Sequence, residues 1–246
     1  LSQIKGSYVR EALLTGLAIE TQGTTNPYQF GFIGSSDTHS AASQNNESAF
    51  SSKLGILSST AEQRGSIPQK GFDGQLAYYG TKVFETINPT PLGKSLYVKI
   101  DSDVYAGGAS PTYGASGFAA AWAEENTRDS IFKAFKRKET FATTGTRIAV
   151  RFFGGFNLSS IDLNSEMLVS QAYQNGVTMG SDLVGDGDKT PEFIVWAQRD
   201  KNGAPLQRVQ IIKGWSDASG RGHEKVFDVV CSDGLQVDPI TNRCPD

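Results

Sequence analysis

The sequence predicts an α/β fold in its first part, followed by a mostly antiparallel β region. Apolar residues recur at helical spacing from about Ser7 to Glu20, and a short apolar run at Gln29–Gly34 has the composition of a buried strand. Further along, two strand-like runs flank Asp200–Gly203, whose Asn-Gly pair favours a tight hairpin. Alternating helix and strand therefore give way to consecutive strands.

The first helix is indicated by apolar residues on one face with charged residues between them. These apolar residues are Tyr8, Ala12, Leu13 and Leu17. After a turn-like segment, Gln29–Gly34 is predicted as a buried strand, and the polar run Ser35–His39 follows its C-terminal end. In sheets flanked by helices, the loops that follow strands usually carry the chemistry.

Residues 40–117 show little periodicity and are rich in Ser, Gly, Asn and Pro. One hydrophobic patch, Ser95–Ile100, is predicted as a strand. So long a stretch without regular structure is unusual inside a compact domain. We therefore expect residues 40–117 to form an ordered lid or a binding insertion.

A second helix is predicted to begin at Asn126, whose side chain can cap it. Asp129 lies in its first turn and the basic run Lys136–Lys138 in its last, as the helix dipole favours. Its apolar face consists of Ile131, Phe132 and Phe135. The following segment, Thr140–Phe153, is rich in Thr, Val, Ile and Phe, and is predicted to be extended.

The C-terminal third is predicted to be mostly β. Phe193–Gln198 and Arg208–Lys213 are expected to pair as a hairpin across Asp200–Gly203, and Glu224–Val230 supplies a further strand. The change from mixed helix and strand to strands alone falls between Gly154 and Ser165. We therefore predict one region over residues 1–155, with the insertion at 40–117, and an appended β-rich region over residues 156–246.

Charge and hydropathy exclude two classes of partner. The formal net charge of -3, from 23 basic and 26 acidic residues, gives no general field that would attract phosphate backbones or anionic lipids. No apolar run approaches the roughly 20 residues that cross a bilayer. We therefore expect neither a nucleic acid nor a membrane as partner.

The two cysteines, Cys231 and Cys244, lie close together in a segment whose Gly, Pro and Asn favour a tight loop. A disulfide could close this loop, and disulfides persist in oxidising compartments. The alternative is two free thiols in a surface loop. We predict the disulfide, and with it a secreted or periplasmic location.

Asp37 and His39 form an Asp-x-His pair directly after the predicted strand, with the small residues Ser35 and Ser36 leaving space for a ligand. A carboxylate and an imidazole two residues apart can converge on a divalent metal if the backbone turns there. The alternative is a hydrogen-bonded turn in which Asp37 caps local amides. The chain has only two histidines, which favours the metal role for this one.

Two other segments are weaker candidates. His223 lies in a Gly-rich turn between predicted strands, and we do not expect it to bind catalytic metal. The acidic segment Asp182–Asp188 could bind calcium, but it lacks a Glu at loop-end spacing, so a plain hairpin is predicted. No nucleophile elbow, phosphate-binding loop or dinucleotide fingerprint is present.

Four strings together resemble one known family. They are G-F-I-G-S-S-D-T-H-S at 31–40, E-E-N-T-R-D-S-I-F-K-A-F-K-R-K-E-T-F-A-T-T-G-T-R-I at 124–148, V-Q-I-I-K-G-W at 209–215 and V-F-D-V-V-C-S-D-G at 226–234. The chain resembles the family called domain of unknown function 3604. That family is similar to the polymerase-and-histidinol-phosphatase (PHP-like) superfamily of metal-dependent phosphoesterases, whose distorted barrels often end their metal motifs with a strand and Asp-x-His.

The resemblance implies a fold and a metal site. Residues 1–155 would be the C-terminal portion of a distorted β/α barrel, and Asp37 and His39 would be ligands of divalent manganese, iron or zinc. Four residues fall in a family motif, namely Asn126, Arg128, Thr144 and Arg147. Arg128 would hold an anionic substrate through its planar fork of donors; the alternative is an exposed residue on the first turn of a helix.

The sequence departs from the superfamily pattern in its metal ligands. It contains no His-x-His motif, and one Asp with one His cannot hold two metals, since zinc alone takes about four ligands. We therefore expect an absent N-terminal portion, on the same or a separate chain, to supply the other ligands. The family sequences also run past Asp246, so a fragment is expected.

These observations lead to one preferred function and one alternative. The preferred function is a metal-dependent hydrolase, acting on a phosphoester of a small anionic molecule through metal-activated water. The alternative is a noncatalytic fragment whose β-rich part serves as a structural or ligand-binding module. Fold-level resemblance fixes neither the substrate nor the reaction.

Overall fold

The secondary structure consists of short helices and short strands. A computed structural model describes residues 6, 8–34, 36–41, 44, 46, 49, 53–87, 96–107 and 113–245. The helices are α1 (Val9–Thr21), α2 (Gly71–Ile87), α3 (Arg128–Lys136) and α4 (Leu168–Asn175). The strands are β1 (Tyr97–Ile100), β2 (Asp103–Ala106), β3 (Ala119–Ala121), β4 (Thr140–Ala142), β5 (Ala149–Gly155), β6 (Gly176–Thr178), β7 (Glu192–Gln198), β8 (Arg208–Ser216) and β9 (Gly222–Cys231).

The strands form small separate sheets and no closed barrel within the described ranges. β1 pairs with β2, β3 with β4, and β8 with β9, while β5 lies between β6 and β7. A β/α barrel needs parallel strands that alternate with helices. The recorded registers of β1–β2, β5–β6, β5–β7 and β8–β9 are all antiparallel. The predicted fold class, the C-terminal part of a distorted β/α barrel, is therefore wrong.

The apolar run Gln29–Gly34 is not a strand, which removes the strand expected before Asp37. Its side chains do not enter a core: Phe30 and Ile33 are more than half exposed, and the rings of Phe30 and Phe32 contact each other with centroids 5.2 Å apart. The carbonyl oxygen of Phe32 accepts a hydrogen bond from the Thr140 hydroxyl instead of from a neighbouring strand. An apolar run alone does not distinguish a strand from an extended surface segment.

The predicted hairpin between β7 and β8 is also wrong, although both strands exist. β7 pairs with β5 along its whole length, and β8 pairs with β9 from Arg208↔Cys231 to Ser216↔Gly222. The Asn-Gly pair makes a local turn, in which Gly203 N–H donates to the Asp200 carbonyl at 3.1 Å. Pairing with β5 buries Ile194 against Phe153, and this burial outweighs the local turn preference.

Of the four described helices, α1 and α3 were predicted from the sequence, whereas α2 and α4 were not, and α4 lies in the region that was expected to contain strands alone. α1 and α3 lie where the apolar period predicts them, but Thr127 rather than Asn126 caps α3, accepting a hydrogen bond from Ser130 N–H at 3.3 Å. α2 lies inside the stretch that was expected to lack periodicity. Its apolar side chains recur at helical spacing but stay more than half exposed, namely Phe72, Leu76, Tyr79, Val83 and Ile87.

The chain divides into two compact units. One comprises residues 1–33, 120–141 and 148–246, and its core consists of Phe153, Leu158, Ile161, Ala172 and Ile194. The other comprises residues 34–119 and 142–147, and it buries Val104 and Ala106 of β2. The predicted organisation into residues 1–155 and 156–246 stays a prediction.

The C-terminal segment is tied to β9. Cys231 and Cys244 form a disulfide, so the predicted bridge is confirmed. The main chain adds a hydrogen bond in which Asp228 N–H donates to the Asn242 carbonyl at 2.9 Å. Among the described helices, none is both long and apolar enough to cross a bilayer.

Candidate functional site

Asp37 and His39 lie on an irregular loop of the second unit. Asp37 has a φ of 57°, a left-handed conformation that Asp tolerates better than most residues. His39 N–H donates to the carbonyl of Lys53 at 2.9 Å, which ties the loop to a distant part of the chain. Both side chains are exposed, with Asp37 at 77%. The loop therefore presents a carboxylate and an imidazole to an incoming ligand.

The orientation of the His39 ring is fixed by the same loop. Its Nδ1 lies 2.7 Å from the Asp37 carbonyl oxygen, which can only accept, so Nδ1 carries the proton. The lone pair of the neutral ring is therefore on Nε2. Histidines that bind metals commonly have this arrangement, in which the second ring nitrogen donates to a carbonyl or carboxylate.

Lys53 is a charged residue beside this pair that sequence reasoning missed. Its Nζ lies 3.6 Å from Asp37 Oδ2 and 4.9 Å from the centroid of the Tyr113 ring. Its side chain is only 19% exposed. The backbone N–H of Lys53 and that of Leu54 donate to Ser58 Oγ at 3.2 and 3.0 Å. No sequence pattern marks this lysine, since it lies in the stretch that lacked periodicity.

Hydrogen bonds among three hydroxyls hold the Asp37–His39 loop in place. Thr38 Oγ1 lies 2.9 Å from Ser36 Oγ and 2.6 Å from Ser116 Oγ. Ser116 is buried, and its N–H donates to the Gln44 carbonyl at 2.6 Å. Ser36 is thus held in place, whereas Ser35, the other small residue of the predicted site, lies outside the described residues.

A small polar cleft of about 230 Å³ lies beside the loop. Its lining residues are Ser36, Lys53, Tyr113, Gly114, Ala115, Gly117, Thr143 and Thr144. Gly117 allows the chain to approach closely, because a Cβ there would lie 1.7 Å from the Thr143 carbonyl oxygen. Residues from four separate segments of the chain therefore meet here. One of them, Thr144, belongs to the motif that the family resemblance singled out.

Arg128 and Asn126 belong to the other unit. Arg128 is the first residue of α3 and is exposed, and Asn126 is exposed and does not cap the helix. Asp37 and His39 are thus brought together by one loop, whereas Arg128 is placed in a different part of the chain.

His223 lies within β9, so its predicted place in a Gly-rich turn is wrong. Its Nε2 is 2.6 Å from Asp217 Oδ2, and its ring stacks on Trp215 with centroids 5.5 Å apart. Hydrogen bonds from His223, from the Ser219 hydroxyl and from the Arg221 N–H hold the pKa of Asp217 well below its usual range. These contacts hold the turn between β8 and β9 in place. His223 therefore has a structural role.

The acidic segment Asp182–Asp188 does not form the predicted hairpin. β6 and β7, which flank it, pair with opposite edges of β5 rather than with each other. Within the segment, Asp186 accepts from Lys189 Nζ at 2.5 Å, and both side chains are exposed. Within the part of the chain that the structure describes, no group of three or more His, Cys, Asp or Glu side chains is placed to hold a metal ion.

Comparison with known proteins identifies the family. No curated protein and no solved structure matches the chain. A family model described as "Protein of unknown function (DUF3604)" matches residues 1–246. Because this match spans the whole sequence, the chain belongs to the DUF3604 family.

Proposed function

We propose that the protein is a metal-dependent hydrolase that acts on phosphoesters, in which Asp37 and His39 bind a divalent manganese, iron or zinc ion. One observation carries the proposal: the hydrogen bond from His39 Nδ1 to the Asp37 carbonyl leaves the Nε2 lone pair on an exposed ring. The Asp37 carboxylate is exposed on the same loop. Both side chains are therefore accessible to a metal ion, and the hydrogen bond at Nδ1 fixes the tautomer of the His39 ring.

These two residues fit a metal as a partial ligand set. Zinc takes about four ligands in proteins, and we propose that further ligands come from another portion of the protein, on the same or a separate chain. A bound divalent metal would polarise the scissile group and lower the pKa of water. Asp37 and His39 hold the ion, while the Lys53 backbone and the Thr38 hydroxyl keep their loop in position.

The proposed substrate is a small anionic molecule. Arg128 stays a proposed substrate-binding residue, since its exposed guanidinium offers a fork of donors at the first turn of α3. Its test is Arg128→Lys, which keeps the charge and removes the fork. An increase in KM with unchanged kcat is expected of a residue that binds the substrate only.

The metal site is tested with the two histidines of the chain. Wild type, His39→Ala and His223→Ala are equilibrated with manganese, iron or zinc, and bound metal is measured by elemental mass spectrometry. We expect His39→Ala to lose at least about tenfold in metal affinity, because it removes a ligand. His223→Ala should bind like wild type, because His223 is engaged with Asp217 and Trp215.

Equal metal affinity in all three proteins would contradict the site at His39. Circular dichroism of each variant controls for folding. Near-stoichiometric metal that disappears only in His39→Ala would justify assay of phosphomonoesters and phosphodiesters with the metal-loaded protein.

A second candidate function is a noncatalytic, ligand-binding β-rich module. The observation in its favour is a mainly apolar cavity of about 680 Å³ that is lined by β7, β8, β9 and residues 158–163. Cavities of this size and lining commonly bind small apolar molecules. Binding of an apolar fluorescent dye that Ile211→Asp abolishes, together with no metal binding by the folded wild type, would favour this function.

We propose a secreted or periplasmic location. The Cys231–Cys244 disulfide supports it, since disulfides persist mainly in oxidising compartments. Fractionation of the producing cells, followed by thiol labelling without reductant, tests it. Free thiols in freshly isolated protein would count against this location.

A further inference from the structure

We propose that the cleft lined by Lys53 binds a tetrahedral oxyanion, such as the phosphoryl group of a substrate, and that Lys53 is its charged anchor. The role of the cleft as a substrate subsite rests on the proposed function. Binding of an oxyanion to the cleft can nevertheless be measured without metal. None of the four strings that carry the family resemblance includes Lys53, and the proposal depends on its surroundings in the folded chain.

The placement of Lys53 is the first argument. Its side chain is only 19% exposed, and its ammonium lies over the face of the Tyr113 ring, 4.9 Å from the ring centroid. Within the described residues, Lys53 pairs with Asp37 Oδ2 at 3.6 Å, which is longer than an ordinary hydrogen bond. An ammonium has three N–H donors. Among the described residues, Lys53 therefore retains donors for a ligand.

The charge of the cleft is the second argument. Lys53 is its only charged lining residue among those described, and no acidic side chain lines it. A cleft with a partly desolvated cation and no lining carboxylate favours an anion, because low exposure to water strengthens the attraction. A cation as ligand is correspondingly disfavoured.

The hydroxyls of the cleft are the third argument. Thr143 Oγ1 accepts from Phe118 N–H at 3.2 Å, and its own O–H can act as a donor. Ser36, Tyr113 and Thr144, which also line the cleft, each carry a hydroxyl that can donate. Several O–H donors and one ammonium around a cavity of about 230 Å³ suit a small group with several acceptor oxygens.

The same geometry couples the cleft to the proposed metal. A Lys53 ammonium 3.6 Å from Asp37 opposes a cation on that carboxylate. Replacing Lys53 by a neutral residue should therefore weaken oxyanion binding and strengthen metal binding. These opposite effects separate the role of Lys53 from a general loss of structure, which would weaken both.

The test uses the whole chain freed of metal with a chelator. Inorganic phosphate is titrated by calorimetry at about pH 8, where phosphate is mainly the dianion. Lys53→Met and Lys53→Gln should lose at least about tenfold in phosphate affinity, and Lys53→Arg should retain most of it. Two neutral variants are included so that poor folding of one leaves the other as the test.

The matched control is Lys82→Met. Lys82 also has a carboxylate neighbour, Glu85 Oε2 at 3.3 Å, and an aromatic neighbour, the Tyr78 ring at 5.8 Å, but it lies on α2 and lines no part of the cleft. Its replacement should leave phosphate affinity unchanged. Sulfate and acetate are titrated in parallel. A preference for phosphate over sulfate assigns the subsite to phosphoesters, and the reverse preference assigns it to sulfate esters.

Three results would overturn the proposal: no phosphate binding by wild type, equal affinity in wild type and both neutral variants, or acetate binding as tight as phosphate binding. The metal measurement separates the two proposals. If Lys53→Met binds phosphate more weakly and binds manganese about threefold more tightly at low salt, the result supports both the oxyanion subsite and the metal site. Weaker phosphate binding with unchanged manganese affinity supports the oxyanion subsite and counts against Asp37 as a metal ligand.

Discussion

At the scale of single residues, Asp228 shows how one buried carboxylate organises its surroundings. Asp228 is 3% exposed. Its carboxylate accepts from Cys244 N–H at 2.7 Å, from Gln210 Nε2 at 2.5 Å and from Arg243 Nε at 3.2 Å. These donors, the Cys244 N–H first, lower the pKa of Asp228 to about 2. The ionised form is therefore strongly preferred in the folded chain.

The lowered pKa of Asp228 predicts acid sensitivity. A carboxyl group whose pKa is lower in the folded than in the unfolded chain stabilises the fold above its unfolded pKa, and this contribution disappears as the pH falls through the folded value. The free energy of unfolding should thus decrease between about pH 4 and pH 2. Asp228→Asn should be less stable than wild type at pH 7, and the gap should narrow towards pH 2.

Urea denaturation at pH 2 to 7 measures this effect. Asp188→Asn is the control, because Asp188 is exposed. A gap between Asp228→Asn and wild type that stays constant over this range would show that the charge of Asp228 does not stabilise the fold.

At the scale of elements, α3 combines local signals with a buried charge network at its C-terminal end. Thr127 caps the first turn, and Lys133 and Lys136 lie in the last. Just beyond it, Glu139 is 1% exposed and accepts from Arg137 Nε at 3.2 Å and from Thr178 Oγ1 at 3.0 Å. The end of α3 is thereby joined to β6.

The cap of α3 yields a prediction that distinguishes neighbouring residues. Thr127→Ala should lower the free energy of unfolding by about 1 kcal/mol, because Ser130 N–H loses its acceptor. Asn126→Ala should change it by less than about 0.5 kcal/mol, as is usual for exposed residues. Thermal and urea denaturation of the two variants provide the measurement. A larger effect at Asn126 would mean that the helix begins one residue earlier.

At the scale of the whole molecule, the two units differ in how they bury apolar surface. The first unit packs the β5–β7 sheet on α4 around Phe153 and Ile194. The second keeps the apolar side chains of α2 exposed, while β2 supplies its buried residues. In the first unit, the disulfide holds the C-terminal segment on β9.

The disulfide predicts a stability difference. Cys231 and Cys244 are 13 residues apart, and closing a loop of about this length restricts the unfolded chain by roughly 3 kcal/mol. The double variant Cys231→Ser/Cys244→Ser should lose about this free energy of unfolding in urea denaturation. Reductant should lower the stability of wild type to a similar degree and leave the double variant unchanged. If reductant has no effect on wild type, the bridge does not stabilise the fold.

Part of the fold could be predicted because the relevant signals are local. α1, α3, β8 and β9 follow from apolar periodicity and strand composition, and the Cys231–Cys244 bridge from a short spacing. α2 was missed although its apolar residues recur at helical spacing, since Gly71, Gly74 and Gly80 weaken the signal. For the candidate site, sequence reasoning named Asp37, His39 and Thr144 but not Lys53, which carries no local pattern.

The sequence by itself determined the family, the disulfide and most helix and strand positions, because periodicity, capping and turn chemistry act between residues a few positions apart. The tertiary structure alone decided that β7 pairs with β5 and that Lys53 meets the Asp37–His39 loop. It also decided that Gln29–Gly34 stays outside any sheet. These outcomes depend on contacts between distant residues, where burial and steric fit outweigh local preference.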